Sequence, residues 1–251
     1  MSPRKKLSLN TGLLAGFSAL YAVVLKILPG IPAYGFLGVK IQIAVVMAPI
    51  YGFILGEILG PAAILLGTLL AMLLIPSKYT VFSFFTILCA PLGALATALT
   101  LDRRTLWRLP KWIYSILIYL TLLSAWMVTD VGRATILYTA PYFTIMALIF
   151  LKGAFLDKIN FRRKLLSITP SLVIGAAAGI FADHFLGSLE GIIVFRYLLE
   201  AVDPETLATF YLAAIPLVLV ERGLMILTAF IILINLYLVI GRSSYVKIKL
   251  E

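Results

Sequence analysis

Two pairs of ionisable side chains interrupt long apolar runs and are the residues of this sequence best suited to chemistry. Asp183 and His184 are adjacent near the end of one run, and Glu221 and Arg222 are adjacent within another. Charged groups are costly inside lipid, so ionisable residues there are candidate functional residues. Neighbouring residues of a helix point about 100° apart, so Glu221 and Arg222 each need a partner of their own. This pattern favours a polar pocket between apolar segments.

The same residues leave an enzyme and a binding protein open as interpretations. Asp183, His184 and Glu221 could serve acid–base or metal chemistry in a membrane enzyme. However, the sequence has no Gly-rich phosphate loop with a lysine, no H-E-x-x-H and no G-x-S-x-G. A single Cys and a single His cannot form the usual zinc sites. We therefore expect a solute-binding protein rather than an enzyme, with no catalytic residues, no metal and no cofactor.

The composition predicts a protein that lies mostly in lipid. Hydrophobic residues make up 62% of the 251 positions and charged residues 13%, whereas a soluble domain is about half apolar and a quarter charged. Apolar runs of about 20 residues can cross a hydrocarbon core about 30 Å thick. We expect an all-α fold, a polytopic transmembrane bundle of six to eight helices, with residues 1–251 forming a single integral membrane domain.

Eight apolar segments can be marked along the chain. They cover residues 11–28, 39–55, 58–75, 80–100, 111–129, 131–151, 166–187 and 208–240. The second and third cannot form one straight span, because a single helix across both would be about 55 Å long. A tight turn at Gly56 and Glu57 is therefore predicted. The glycine pairs around that turn and at Gly175 and Gly179 are interpreted as sites of close helix packing within the protein.

The basic residues predict which way the chain is inserted. Fifteen of the 21 Lys and Arg lie in four clusters, at residues 4–6, 103–111, 152–164 and 242–249. With eight spans all four clusters fall on one side, and cytoplasmic loops carry such an excess. We expect a multi-pass protein of the cell membrane with both termini in the cytoplasm. The net charge of +10 is then a topology signal, and nucleic acid is not an expected partner.

Counting residues from the basic clusters places most of the charged residues within the membrane in its outer half. The candidate solute-binding residues are these charges together with aromatic and basic residues of the outer turns: Tyr34, Trp126, Arg133, Asp183, His184, Glu221 and Arg222. Residues 188–207 are expected outside, where apolar residues at helical spacing predict a short amphipathic helix that lies on the membrane or covers the pocket.

The N-terminal third resembles the substrate-binding S components of energy-coupling factor (ECF) transporters. The stretch AGFSALYAVVLKILPGIPAYG carries Ala15 and Ala19 four residues apart and then a Gly/Pro-rich loop, and IPLVLVERGLMILTAF is similar to the last helix of such proteins. The resemblance implies a vitamin-like small molecule bound from outside beneath the first outer loop. It also implies partner subunits, with Ala15 and Ala19 docking on a membrane coupling subunit that two ATPases drive.

Two other functions stay open at the sequence level. A stand-alone secondary transporter or channel would use the same polar residues without a coupling subunit. A membrane enzyme would use Asp183, His184 and Glu221. The sequence leaves the identity and charge of the solute undetermined, because the outer half contains both acids and bases.

Overall fold

The computed structural model describes residues 3–33, 40–158 and 164–240. Over these residues the chain is almost entirely helical, and the fold class expected from the sequence is confirmed. The described part contains seven stretches long and apolar enough to cross a membrane. They are Leu7–Ile27, Ile43–Leu74, Phe82–Leu101, Lys111–Val128, Ile136–Lys158, Ile168–Leu198 and Pro204–Ile240.

The helices follow one another with short connections. In chain order they are α1 Pro3–Ile27, α2 Met47–Leu74, α3 Val81–Phe85, α4 Cys89–Leu101, α5 Lys111–Val128, α6 Asp130–Ala134, α7 Ala140–Ala154, α8 Lys164–Ile192 and α9 Pro204–Ile240. Short 3-10 turns are at Ile43–Val46, Pro76–Lys78, Thr86–Leu88, Ile136–Thr139 and Leu156–Lys158, and a π-helical segment is at Ile193–Leu198. Two small antiparallel hairpins pair β1 Gly30–Pro32 with β2 Lys40–Gln42, and β3 Thr105–Leu106 with β4 Leu109–Pro110.

The predicted turn at Gly56 is confirmed, although α2 spans it as one helix. Gly56 has φ 82° and ψ −168°, a combination open only to glycine. A Cβ atom on Gly60 would lie 2.9 Å from the carbonyl oxygen of Tyr51. Nine residues of straight helix would hold those positions about 13 Å apart. The chain therefore reverses at Gly56, and α2 consists of two antiparallel limbs.

Helices α4 and α8 pack closely at the centre through glycines. A Cβ on Gly93 would lie 2.7 Å from the carbonyl oxygen of Gly179, and one on Gly179 would lie 2.1 Å from the Thr97 hydroxyl. Thr97 also donates a hydrogen bond of 2.9 Å to the carbonyl oxygen of Gly175. Small residues allow this close approach. Close packing matters in lipid because burying leucine between helices gains little when the lipid tails are equally apolar. The glycine pair of α8 is thus a packing feature, as the sequence predicts.

The helix ends expected for this region are wrong. Helix α8 does not end near residue 187 but continues through Ser188 to Ile192 and then into the π-helical segment, so residues 188–198 extend α8 instead of forming a separate helix. Helix α9 likewise runs unbroken past Pro216. Asp183 and Arg222 therefore lie within two long continuous helices.

One end of the bundle holds an ion cluster made of two groups of side chains. In the first, Nζ of the buried Lys111 contacts Glu57 at the α2 turn and lies 2.8 Å from Oδ2 of Asp102. Burial alone would raise the pKa of Asp102, but hydrogen bonds from Arg104 and Lys111 lower it to about 2. These contacts fasten the α2 turn to the end of α4 and the start of α5.

The second group of the ion cluster centres on Asp157. Nζ of Lys152, which is also buried, lies 2.8 Å from Oδ2 of Asp157, and Nε of Arg103 lies 3.1 Å from its Oδ1. The hairpin of β1 and β2 lies at the opposite end of the bundle, since one limb of α2 separates it from the Gly56 turn.

Candidate functional site

A cavity of about 200 Å³ lies between α1, α2, α8 and α9. Its mouth is beside the β1–β2 hairpin and the segment from Tyr79 to Thr86, so it faces the end opposite the ion cluster. Its floor reaches the middle of α8 and α9. The lining residues that bear polar or aromatic side chains are Tyr21, Lys40, Gln42, Thr68, Tyr79, Thr80, Phe82, Ser83, Thr86, Cys89, Tyr138, Asp183, His184, Ser188, Phe195, Phe210, Tyr211, Glu221 and Arg222.

Three charged side chains meet at the floor of this cavity. Nη1 of Arg222 is 3.8 Å from Oδ2 of Asp183, and Nη2 is 3.8 Å from Oε1 of Glu221. Both distances exceed those of direct hydrogen bonds. Arg222 is 2% exposed, its Nε has no hydrogen-bond partner, and neither does the buried Oε1 of Glu221. The guanidinium is therefore held between two carboxylates that it does not directly bind.

His184 belongs to a chain of hydrogen bonds on the cavity wall. Its Nε2 is 3.0 Å from the Tyr138 hydroxyl, which is 2.9 Å from Oγ of Ser188. Ser188 donates to the carbonyl oxygen of His184 at 2.9 Å. All three contacts are satisfied when Tyr138 donates to Ser188 and accepts from a protonated Nε2. The imidazole thereby positions the Tyr138 ring at the cavity surface.

An aromatic cluster stands behind this wall. Trp126 is fully buried, stacks on Tyr138 with ring centroids 5.3 Å apart, and meets Tyr211 edge-on at the same distance. Tyr138 and Tyr211 line the cavity, whereas Trp126 does not. Trp126 therefore supports two lining rings.

A strap of polar contacts joins the π-helical segment to the first residue of α6. The Tyr197 hydroxyl donates to Oδ1 of Asp130 at 2.8 Å, and Nε of Arg196 lies 3.2 Å from Oδ2. Partial burial would raise the pKa of Asp130, but these bonds and one from the Val131 amide lower it. The strap holds the segment that carries Phe195, one of the residues lining the cavity.

The structure brings together four of the residues that the sequence nominates for solute binding. Asp183, His184, Glu221 and Arg222 all line the cavity. Arg133 does not, since it is exposed and donates to the carbonyl oxygen of Val128 at 2.9 Å. Tyr34 falls outside the described residues.

Several lining residues were not nominated from the sequence. Tyr79 and Phe82 come from the connection between α2 and α4, Phe195 comes from the segment 188–207 that the sequence places outside, and Phe210 comes from the eighth apolar segment. The run KYTVFSFFT, residues 78–86, mixes hydroxyl and aromatic side chains and was the available signal for the first pair. Over the described residues, no group of three or more His, Cys, Asp or Glu side chains is arranged to hold a metal ion.

Comparison with known proteins shows a distant similarity to an uncharacterized protein. No family model matches the chain. No solved structure matches it either. It is similar to the uncharacterized protein MJ0923 of Methanocaldococcus jannaschii, with 27% identity over 188 residues, which cover 71% of this chain and 54% of that protein. The chain thus spans about half the length of this relative.

Proposed function

We propose that this chain is a membrane-embedded solute-binding protein of the S-component kind. It receives a vitamin-like small molecule into the cavity from the outer side and delivers it while docked on a coupling subunit driven by ATPases. The observation that carries the proposal is Arg222, which is 2% exposed at the cavity floor with an unpartnered Nε. A buried guanidinium without its full set of hydrogen bonds is costly, so a ligand that completes them would bind favourably.

The exposed face of α1 supports the docking part of the proposal. Ala15 and Ala19 are both exposed, so they do not pack within the chain. A Cβ added to Gly12 or Gly16 would meet nothing within 4 Å. This face is open to close approach by a helix of another subunit, which small residues permit.

The reversal at Gly56 supports the proposed orientation. Counting the two limbs of α2 separately gives the described residues eight passes, which supports a topology with both termini on one side. The loops at the ion cluster carry two of the basic clusters, and the excess of basic residues typical of cytoplasmic loops supports a cytoplasmic position for that end. The cavity mouth is then outside the cell.

A cavity-filling variant tests the proposal. Ala214 is buried in α9 and lines the cavity, whereas its neighbour Ala213 is exposed on the same helix. We expect small molecules that copurify with the chain from its native host, detected by mass spectrometry, to be lost in Ala214→Phe and kept in Ala213→Phe. Uptake into vesicles should require ATP and the coupling subunits. Uptake by the chain alone would instead show a stand-alone transporter.

A further inference from the structure

The charges at the cavity floor do not balance. Asp183 and Glu221 bring two carboxylates to one guanidinium, and all three side chains are at least nine-tenths buried. Glu190 adds a further carboxylate behind the wall, where it accepts a hydrogen bond of 3.0 Å from Sγ of Cys89. Among the lining residues that the structure describes, Arg222 is the buried cation, and Lys40 lies at the exposed mouth, where water screens it.

The excess negative charge is buried between apolar helices, where it is costly. Two observations show that the groups of the protein do not fully compensate this charge. The distances of 3.8 Å leave Arg222 bound directly to neither acid, and Oε1 of Glu221 is buried with no hydrogen-bond partner. One carboxylate can compensate Arg222, and the other then faces the cavity with nothing opposite it.

The walls above this floor are suited to an organic cation. Rings of Tyr21, Tyr79, Phe82, Phe195 and Phe210 line the cavity together with Tyr138 and Tyr211. The faces of aromatic rings attract positive charge, most strongly where water is excluded. Flat rings also stack on the flat body of an aromatic ligand.

We propose that the cavity binds an aromatic organic cation, a ring-bearing solute with one positive charge that pairs with the carboxylates of Asp183 and Glu221. This inference rests on the proposed function and narrows its solute class. An acceptor atom on the same solute takes the free Nε of Arg222. A bound cation makes the floor electrically neutral, which neither a neutral nor an anionic solute does.

Three probes that share a phenyl ring and are of similar size differ in charge, so they test the charge requirement alone. At pH 7, 2-phenylethylamine is a cation, 2-phenylethanol is neutral and phenylacetate is an anion. Their affinities are measured by calorimetry with the chain in lipid nanodiscs, and Ala214→Phe serves as the blocked-cavity control. A hydrogen bond to a charged group corresponds to roughly 10-fold or more in affinity. We expect the amine to bind at least about 10-fold more tightly than the alcohol, and phenylacetate to bind most weakly.

The charge requirement is assigned by one substitution and its control. Glu221→Gln should remove the advantage of the amine over the alcohol, while Glu205→Gln, at an exposed position of the same helix, should leave it unchanged. An alcohol or anion that binds as tightly as the amine overturns the cation assignment but leaves a solute cavity. If none of the three probes binds, or all bind equally to Ala214→Phe, the proposed function is overturned together with it.

Discussion

Arg222 of α9 and Asp183 of α8 meet between two adjacent helices, with Nη1 of the arginine 3.8 Å from Oδ2 of the aspartate. Removing one partner of a buried ion pair costs about 3–5 kcal/mol, because the other charge is left uncompensated. Arg222→Met should therefore lower the melting temperature markedly, and Asp183→Asn in the same chain should restore part of the loss. Arg133→Met, at an exposed position, is the control and should change little. Purely additive losses in the double variant would show that the two charges do not interact.

Gly56 should be intolerant of a side chain. Its φ of 82° and ψ of −168° fall in a region that costs a non-glycine residue about 1–3 kcal/mol. Gly56→Ala should lower the unfolding temperature by a corresponding amount. Gly16→Ala is the matched control, because that glycine is within α1 and its Cβ would meet nothing within 4 Å. There alanine should be neutral or stabilising. Equal behaviour of the two variants would contradict the reversal of α2.

Asp102 should make the stability of the folded protein depend on pH in the acidic range. Its pKa in the folded protein is about 2, below its ordinary 3.8, so its charge stabilises the fold above pH 4. That contribution is lost as the pH falls from about 4 to about 2. Asp102→Asn should flatten the fall in melting temperature over this window, and Glu200→Gln, at an exposed loop position, should not. An unchanged slope in Asp102→Asn would show that the ion cluster does not hold that carboxylate ionised.

Labelling of single cysteines should establish the orientation. In a Cys89→Ala background, a membrane-impermeant reagent applied from outside should label Glu205→Cys, at the start of α9, and not Arg108→Cys, between β3 and β4. Both positions are exposed, so access depends on the side of the membrane. The opposite pattern would place the ion cluster and the termini outside.

Bulk added to α1 should separate docking from solute binding. Ala15→Val with Ala19→Val places methyl groups on an exposed helix face, so neither the melting temperature nor solute affinity should change. Uptake with the coupling subunits should nevertheless be largely lost, because two helices could no longer approach closely. Ala147→Val with Ala213→Val adds the same bulk to exposed positions of α7 and α9 and should leave uptake intact. Loss of solute binding in the α1 variant would show that its alanines pack internally.

The sequence could predict local features and missed those that depend on distant partners. The Gly56 turn could be predicted because a straight helix across residues 39–75 would be about 55 Å long, and the glycine at the predicted turn supplies the backbone conformation that the reversal uses. By contrast, Glu190 and Arg196 made the end of α8 look like a solvated loop. Their partners are Cys89 and Asp130, which lie 101 and 66 residues away in sequence, and local patterning carries no sign of either contact.

The candidate site could also be predicted from the sequence only in part. The charged residues of the floor were identifiable because charge within an apolar run is conspicuous. The aromatic walls were not, since 12% of the chain is aromatic and a ring facing lipid looks the same in sequence as a ring facing a cavity. Trp126 illustrates the difficulty, because it lies behind the wall rather than in it.

Burial of Lys111 and Lys152 in the ion cluster means that the same charges act differently at two stages in the life of the protein. In the proposed orientation, each lysine is hydrated while the chain is being inserted and helps to retain its loop in the cytoplasm, and acidic residues contribute little to that retention. Once the helices have assembled, Glu57, Asp102 and Asp157 neutralise both lysines. Glu57→Gln should therefore leave insertion unaltered and weaken only the later assembly of α2 with α5.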